Sequence, residues 1–144
     1  MPRHSAFQMA LTGFLALVVA VSIGRFAFTP MLPIMQSEGI LDISDGGVLA
    51  SAHFLGYAMG ALFAGWPGAA SRTALIAALA AIGFSTIVLG MTEAMWIWLL
   101  SRWIAGVCSA LVLVIVSTQF IRMLTEVSRT DLQGWIFAGV GGGI

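Results

Sequence analysis

Four apolar stretches follow one another with little between them, and each is long enough to cross a lipid bilayer. They run from about Phe7 to Met35, Val48 to Trp66, Thr73 to Met91 and Ala94 to Ile121. A helix rising 1.5 Å per residue crosses a hydrocarbon core of about 30 Å with about 20 residues. The pattern therefore predicts an all-α, polytopic transmembrane helical bundle. A fifth apolar piece starts at Gln133 and reads GWIFAGVGGGI after it. It is too short to cross, and its glycine-rich backbone is expected to lack support.

Composition agrees with a lipid-embedded chain. Residues are 60% apolar and only 8% charged, whereas a soluble domain carries roughly 25% charged residues. Such a chain cannot cover a water-facing surface. The formal net charge is zero and no basic run occurs, which argues against a nucleic-acid partner. Cys108 is the one cysteine, so neither a disulfide framework nor a thiolate metal site can form. His4 and His53 are too far apart to make a metal motif. No nucleotide loop, HExxH or Ser–His–Asp pattern is present, so neither an enzyme, a metal centre nor a cofactor is expected.

The first stretch follows Arg3, as a signal peptide would, but its apolar run exceeds the usual 7–15-residue core and no small-x-small site follows. It reads as a retained span. Basic residues in short loops set orientation. With the N-terminus inside, Arg3, Arg72, Arg122 and Arg129 are all cytoplasmic. The outer loops, Gln36–Gly47 and Thr92–Glu93, hold Glu38, Asp42, Asp45 and Glu93 and no Lys or Arg. Trp96 and Trp98 at the outer start of span four, with Trp66 and Trp135 at inner ends, fit interfacial indoles. The expected location is the cell inner (plasma) membrane, multi-pass, with a cytoplasmic N-terminus.

Lipid tails are as apolar as leucine, so membrane helices associate by close backbone approach. In span two, Ala52, Gly56, Gly60, Ala64 and Gly68 recur every fourth residue. Span four offers Gly106 and Ala110, and span one Ala16, Ala20 and Gly24. Ordinary bundle packing explains such stripes, and a sliding seam would use them equally well. Near its outer end span one reads GRFAFTPMLP, joining a charge to two prolines. Proline in a helix removes a hydrogen bond and kinks it. The helix is expected to continue through the kink, although an end at Pro30 would make the segment a loop entry.

Polar residues inside the spans mark candidate sites. Arg25 lies about 15 Å below the outer end of span one, Arg102 about 12 Å below that of span four, and His53 about 8 Å into span two. An arginine at that depth is costly unless it faces a partner or water. No Asp or Glu lies inside the four stretches. The partner must be a backbone carbonyl, a carboxylate from elsewhere or an anionic ligand, with snorkelling to the interface as the structural alternative. His53 could be a neutral histidine bonding across helices, and Tyr57, one turn on, could join it. Ser117, Thr118 and Gln119 look like ordinary interfacial polarity.

Three segments carry a family resemblance: GRFAFTPMLPIM (Gly24 to Met35), LASAHFLGYAMGAL (Leu49 to Leu62) and LLSRWIAGVCSALV (Leu99 to Val112). Together they resemble the YbfB/YjiJ-type branch of the major facilitator superfamily. The last matches that superfamily's span-four pattern of arginine, glycine and small residue at four-residue steps: Arg102, Gly106 and Ala110. Two features depart from the pattern. The loop Gly65–Arg72 lacks the family's usual acid, which leaves the customary charge relay at the cytoplasmic gate without its carboxylate. The glycines 139, 141, 142 and 143 resemble a span-five motif of antiporters but lack its proline.

The resemblance implies a secondary transporter of about twelve spans in two pseudo-symmetric halves, working by alternating access about a midplane site. The chain then reads as part of the N-terminal half, an N-terminal fragment whose missing C-terminal half would complete the transporter. Arg25 and Arg102 would line or brace the cavity, with His53 and Tyr57 in second place. The implied partners are the bilayer and a small solute, anionic by the sign of the uncompensated charge. A coupling proton stays open, since no carboxylate in the spans can carry it. The alternative is a small four-helix membrane protein, either an oligomeric transporter or a non-transporting subunit. Small multidrug transporters of that kind rely on an acid in span one, and none is present here.

Overall fold

The computed structural model describes residues 3–26, 28–66 and 68–141, with side chains from Ala6 onward. The side chains of Arg3 and His4, and the glycines 142 and 143, lie outside the described residues. Among those described the chain is helical with no strand: α1 (Arg3–Leu17), a π-helical segment (Val18–Phe26), α2 (Phe28–Ser37), α3 (Ile43–Ala64), α4 (Arg72–Met91), α5 (Met95–Ile115), a second π-helical segment (Val116–Phe120), α6 (Ile121–Glu126) and α7 (Gln133–Gly141). Four runs are long and apolar enough to cross a membrane: Ala6–Ser37, Ile43–Ala64, Arg72–Met91 and Met95–Glu126. The all-α transmembrane bundle is what the apolar stretches led one to expect.

Local chemistry sets the helix ends. Gly39, at φ +73°, closes α2, and the Ile40 N–H reaches back to the Met35 carbonyl at 2.9 Å. That is the Schellman arrangement, which needs a residue tolerant of left-handed backbone. Two residues later α3 opens with a capping box: the Asp45 N–H donates to Asp42 Oδ1 at 2.8 Å and the Asp42 N–H donates to Asp45 Oδ2 at 3.2 Å. Ser71 caps α4 by accepting from the Ala74 N–H at 3.1 Å.

Span one continues past its prolines as expected, with Pro33 inside α2. The irregularity lies before them, in the π-helical turns of Val18–Phe26. Pro30 has no N–H to offer the Phe26 carbonyl, and its ring crowds that turn, so the backbone relaxes on the N-terminal side. A π-helical stretch of this length is uncommon, and such bulges occur often at functional positions.

The packing is carried by backbone proximity. Helix α3 runs against α5, and the two are parallel: Gly56 lies over the Trp103 carbonyl, Gly106 over the His53 carbonyl, and Gly60 over that of Val107. Both helices thus cross the bilayer in the same sense, as spans two and four of an alternating series must. Their stripes interlock, each glycine admitting a carbonyl of the other helix. Gly56, Gly60 and Ala64 are buried there, whereas Gly68 falls in the loop. Large side chains on the outer faces, such as Leu62 and Met91 (both 79% exposed), suit contact with lipid.

The buried apolar residues form two groups. One, at the end bearing the Gln36–Gly47 loop, comprises Phe28, Leu41, Leu49 and Trp98. The other, larger group reaches from Ala6 and Leu17 through Ile82 and Val112 to Leu124 and Ile136. Between them lie Gly24 on span one and Arg102 on α5, with His53 on α3 beside that level.

Two expectations need correction. Trp98 is at the expected end of span four, but its indole is not at a lipid interface. It is 2% exposed and donates its N–H to the Thr92 carbonyl at 2.7 Å and the Leu89 carbonyl at 3.1 Å. These are last-turn carbonyls of α4 that have no helical donor. Nor is the glycine-rich piece after Gln133 unsupported. Helix α7 packs on α1, with Ile136 fully buried and Gly139 close against the Phe14 carbonyl.

Candidate functional site

The polar residues between the two apolar groups come from spans one, two and four. Arg102 is 4% exposed. Its Nη1 donates to the Gly24 carbonyl at 3.0 Å and its Nη2 reaches the Arg25 carbonyl at 3.4 Å. Its guanidinium stands 5.1 Å from the Phe28 ring centroid, inside the range of cation–π attraction. One turn pair further along α5, Ser109 donates to the Ala20 carbonyl at 2.7 Å. Thus α5 stitches the π-helical part of span one at three carbonyls, where widened turns leave acceptors for outside donors. Gly24 permits this closeness, since a Cβ there would lie 2.7 Å from Ser109 Oγ.

Arg25 points elsewhere. It is solvent-exposed in the described chain, and its guanidinium lies 5.4 Å from the Phe26 ring centroid and 5.1 Å from that of Phe54 on α3. Among the described residues the ion pairs join Arg122 to Glu126 and Arg129 to Asp131, both in or beside the α6–α7 connection. Neither Arg25 nor Arg102 has a carboxylate partner. Aromatic faces attract a cation without cancelling its charge.

His53 is 2% exposed and faces α5. Neither of its ring nitrogens has a hydrogen-bond partner among the described residues. Its ring meets Phe54 edge-on, with centroids 6.1 Å apart. Tyr57, half-buried, lies one turn further along α3. The buried side-chain polar atoms without a partner, among the described residues, are Ser22 Oγ, both His53 nitrogens and Arg102 Nε. Buried polar groups are nearly always paired, so their concentration at one level of the bundle marks this level as polar by construction.

Of the residues singled out in the sequence, Arg25, Arg102, His53 and Tyr57 are thus brought to neighbouring positions on spans one, two and four. Gly56, Gly60 and Gly106 lie in the α3–α5 seam, and Ala110 is buried on α5. Ser109 was missed. Its signal was available: a serine seven residues after Arg102 lies on the same helix face, two turns along. Gln119, read as interfacial, donates its side-chain N–H to the Ala70 carbonyl and ties the second π-helical segment to the loop before α4. Groups of His, Cys, Asp and Glu able to hold a metal do not occur among the described residues.

The arrangement sets a positively charged, polar level between two apolar groups of side chains. Comparison with known families is consistent with that. Residues 17–144 match the family model described as an uncharacterised MFS-type transporter, YbfB. The chain belongs to this family. The match covers span one from Leu17, just before its π-helical segment, through α7, and so includes every residue of the polar level. No curated protein and no solved structure matches the chain. Family membership makes this YbfB-type chain a multi-pass membrane protein of the major facilitator superfamily and a transporter of small solutes.

Proposed function

We propose that the YbfB-type chain forms part of the N-terminal half of a secondary transporter that moves a small anionic solute by alternating access. In such proteins one half rocks against the other about a midplane site. The N-terminus lies in the cytoplasm and the Gln36–Gly47 loop outside, because all arginines of the loops and tail then fall on the inner face. The membrane is the cell inner membrane. The observation that supports an anion best is the pair of guanidinium groups held at bilayer depth with no carboxylate opposite either of them. Charged side chains at that depth face a cavity or a partner.

Two roles follow from the two environments. Arg25, exposed and ringed by phenyl groups, lines the cavity and meets the solute. Arg102 has its Nη donors committed to span-one carbonyls, so it braces the backbone that carries Arg25. His53 and Tyr57 border the site from span two. The full-length transporter, reconstituted in proteoliposomes, should take up an anionic solute. Arg102→Ala should insert normally and lose uptake. Wild-type uptake by Arg102→Ala, or uptake confined to cationic solutes, would contradict the reading.

A further inference from the structure

The charge on Arg25 asks for an anion; its surroundings say which kind. Its guanidinium lies 5.4 Å from one ring centroid and 5.1 Å from the other, so phenyl groups occupy its neighbourhood where other donors could have stood. The N–H edges carry no hydrogen bond among the described residues. A guanidinium presents parallel N–H donors that match a planar carboxylate in two bonds at once.

Three observations narrow the ligand. First, one cation is accessible: Arg102 is 4% exposed and its Nη atoms are taken by the Gly24 and Arg25 carbonyls. A doubly charged ligand would bring one charge that the described residues do not offset. Second, the rings that stand against Arg25 are apolar: Phe54 is 53% exposed and Phe26 is half-buried. A hydroxyl-rich or inorganic anion would give up its water to these rings, which return no hydrogen bonds. An apolar body would bury against them. Third, the exposed Phe54 belongs to α3, fixed on α5 through the glycine seam, whereas Arg25 and Phe26 belong to the π-helical part of span one. The two walls come from different helices, both held on α5, so an apolar body between them would meet side chains whose backbones are fixed.

We propose that the solute is an organic monocarboxylate with an apolar, preferably planar body, its carboxylate paired edge-on with Arg25 and its body lying against Phe54 and Phe26. This assignment rests on the transporter reading above and names its substrate class.

The test uses purified full-length protein, titrated calorimetrically with benzoate, benzamide, succinate and inorganic phosphate. Benzoate should bind, and benzamide, its neutral counterpart, should bind roughly tenfold to a hundredfold more weakly, as expected for losing charge-assisted bonds. Arg25→Gln should weaken benzoate by a similar factor. Arg25→Lys keeps the charge but loses the fork and should fall between. Phe54→Leu, at an exposed position, should weaken benzoate severalfold and leave acetate unchanged. Equal affinity for benzoate and benzamide, tighter binding of succinate or phosphate, or full benzoate affinity in both Arg25 variants would overturn the assignment. Proteoliposome uptake separates it from the broader reading. Arg102-dependent uptake of another solute, unaffected by benzoate, leaves a transporter and removes the monocarboxylate. Specific benzoate binding without uptake of benzoate leaves the monocarboxylate site and removes the transporter.

Discussion

Gly106→Ala isolates the feature that orders this bundle. A Cβ at Gly106 would overlap the His53 carbonyl oxygen and stand 2.9 Å from the Tyr57 nitrogen and 3.0 Å from the His53 carbonyl carbon. All three are backbone atoms of α3. No rotamer change removes the clash, so α3 and α5 must separate. Ordinary van der Waals contact begins at roughly 3.5 Å, so relieving the overlap with the His53 carbonyl oxygen widens the seam by more than an ångström. A gap of 0.5–1 Å forfeits about a quarter to a half of each contact's dispersion energy. The loss extends along the seam, because Gly56 and Gly60 make the same kind of approach to Trp103 and Val107. Overpacking of this sort costs about 1–3 kcal/mol. Against it, alanine gains about 0.5–1 kcal/mol over glycine within a helix.

Gly83 and Gly90 on α4 provide the control, since a Cβ at either meets nothing within 4 Å. Unfolding from mixed micelles by increasing denaturing detergent should place Gly106→Ala below wild type by about 1–2 kcal/mol, with Gly83→Ala at or above wild type. Gly56→Ala should resemble Gly106→Ala. The double variant should lose less than the sum, because the first substitution already opens the gap the second needs. Equal stability of Gly106→Ala and Gly83→Ala would refute backbone contact as the basis of the seam.

Three further outcomes follow. Ser109→Ala removes the bond to the Ala20 carbonyl and should cost about 0.6 kcal/mol in the same assay, the usual worth of an interhelical hydrogen bond in a membrane. Trp98→Phe keeps the ring buried but leaves the Leu89 and Thr92 carbonyls without their donor. It should cost about 1–3 kcal/mol, and fraying of the α4 terminus should appear as faster amide exchange at the Thr92–Ala94 turn. Asp42 has its carboxyl held below the ordinary value, chiefly by the Asp45 N–H. Its cap therefore stabilises α3 above the unfolded-state pKa and fades as pH falls through the lower folded value. The protection factor of the Asp45 amide should fall on acidification below the normal aspartate range, and Asp42→Ala should show low protection at every pH.

Apolar length made the four spans legible in the sequence, because it responds to the bilayer as a solvent rather than to any particular neighbour. The four-residue glycine spacing likewise announced a seam. Which helix filled it was not legible, since Gly56 and Gly60 would accept any close backbone, and only the shared direction of α3 and α5 lets their stripes interlock. Trp98 was misplaced for a related reason. An indole near a helix start satisfies its N–H at the lipid interface or on a neighbour's unpaired carbonyls, and the sequence states no preference. The sharpest case is the arginine pair. In sequence Arg25 and Arg102 look alike, two lone cations in apolar runs. They differ because the proline-bearing span one distorts and presents its carbonyls at the level of Arg102, which consumes that guanidinium's donors. The distortion that ties up one arginine also sets the other free, since a residue on the widened turns faces away from the helix that holds them. Proline in span one, glycine at 24 and arginine at 102 thus act as one device. Its consequence is that loosening the brace should disturb the Arg25 position without touching it.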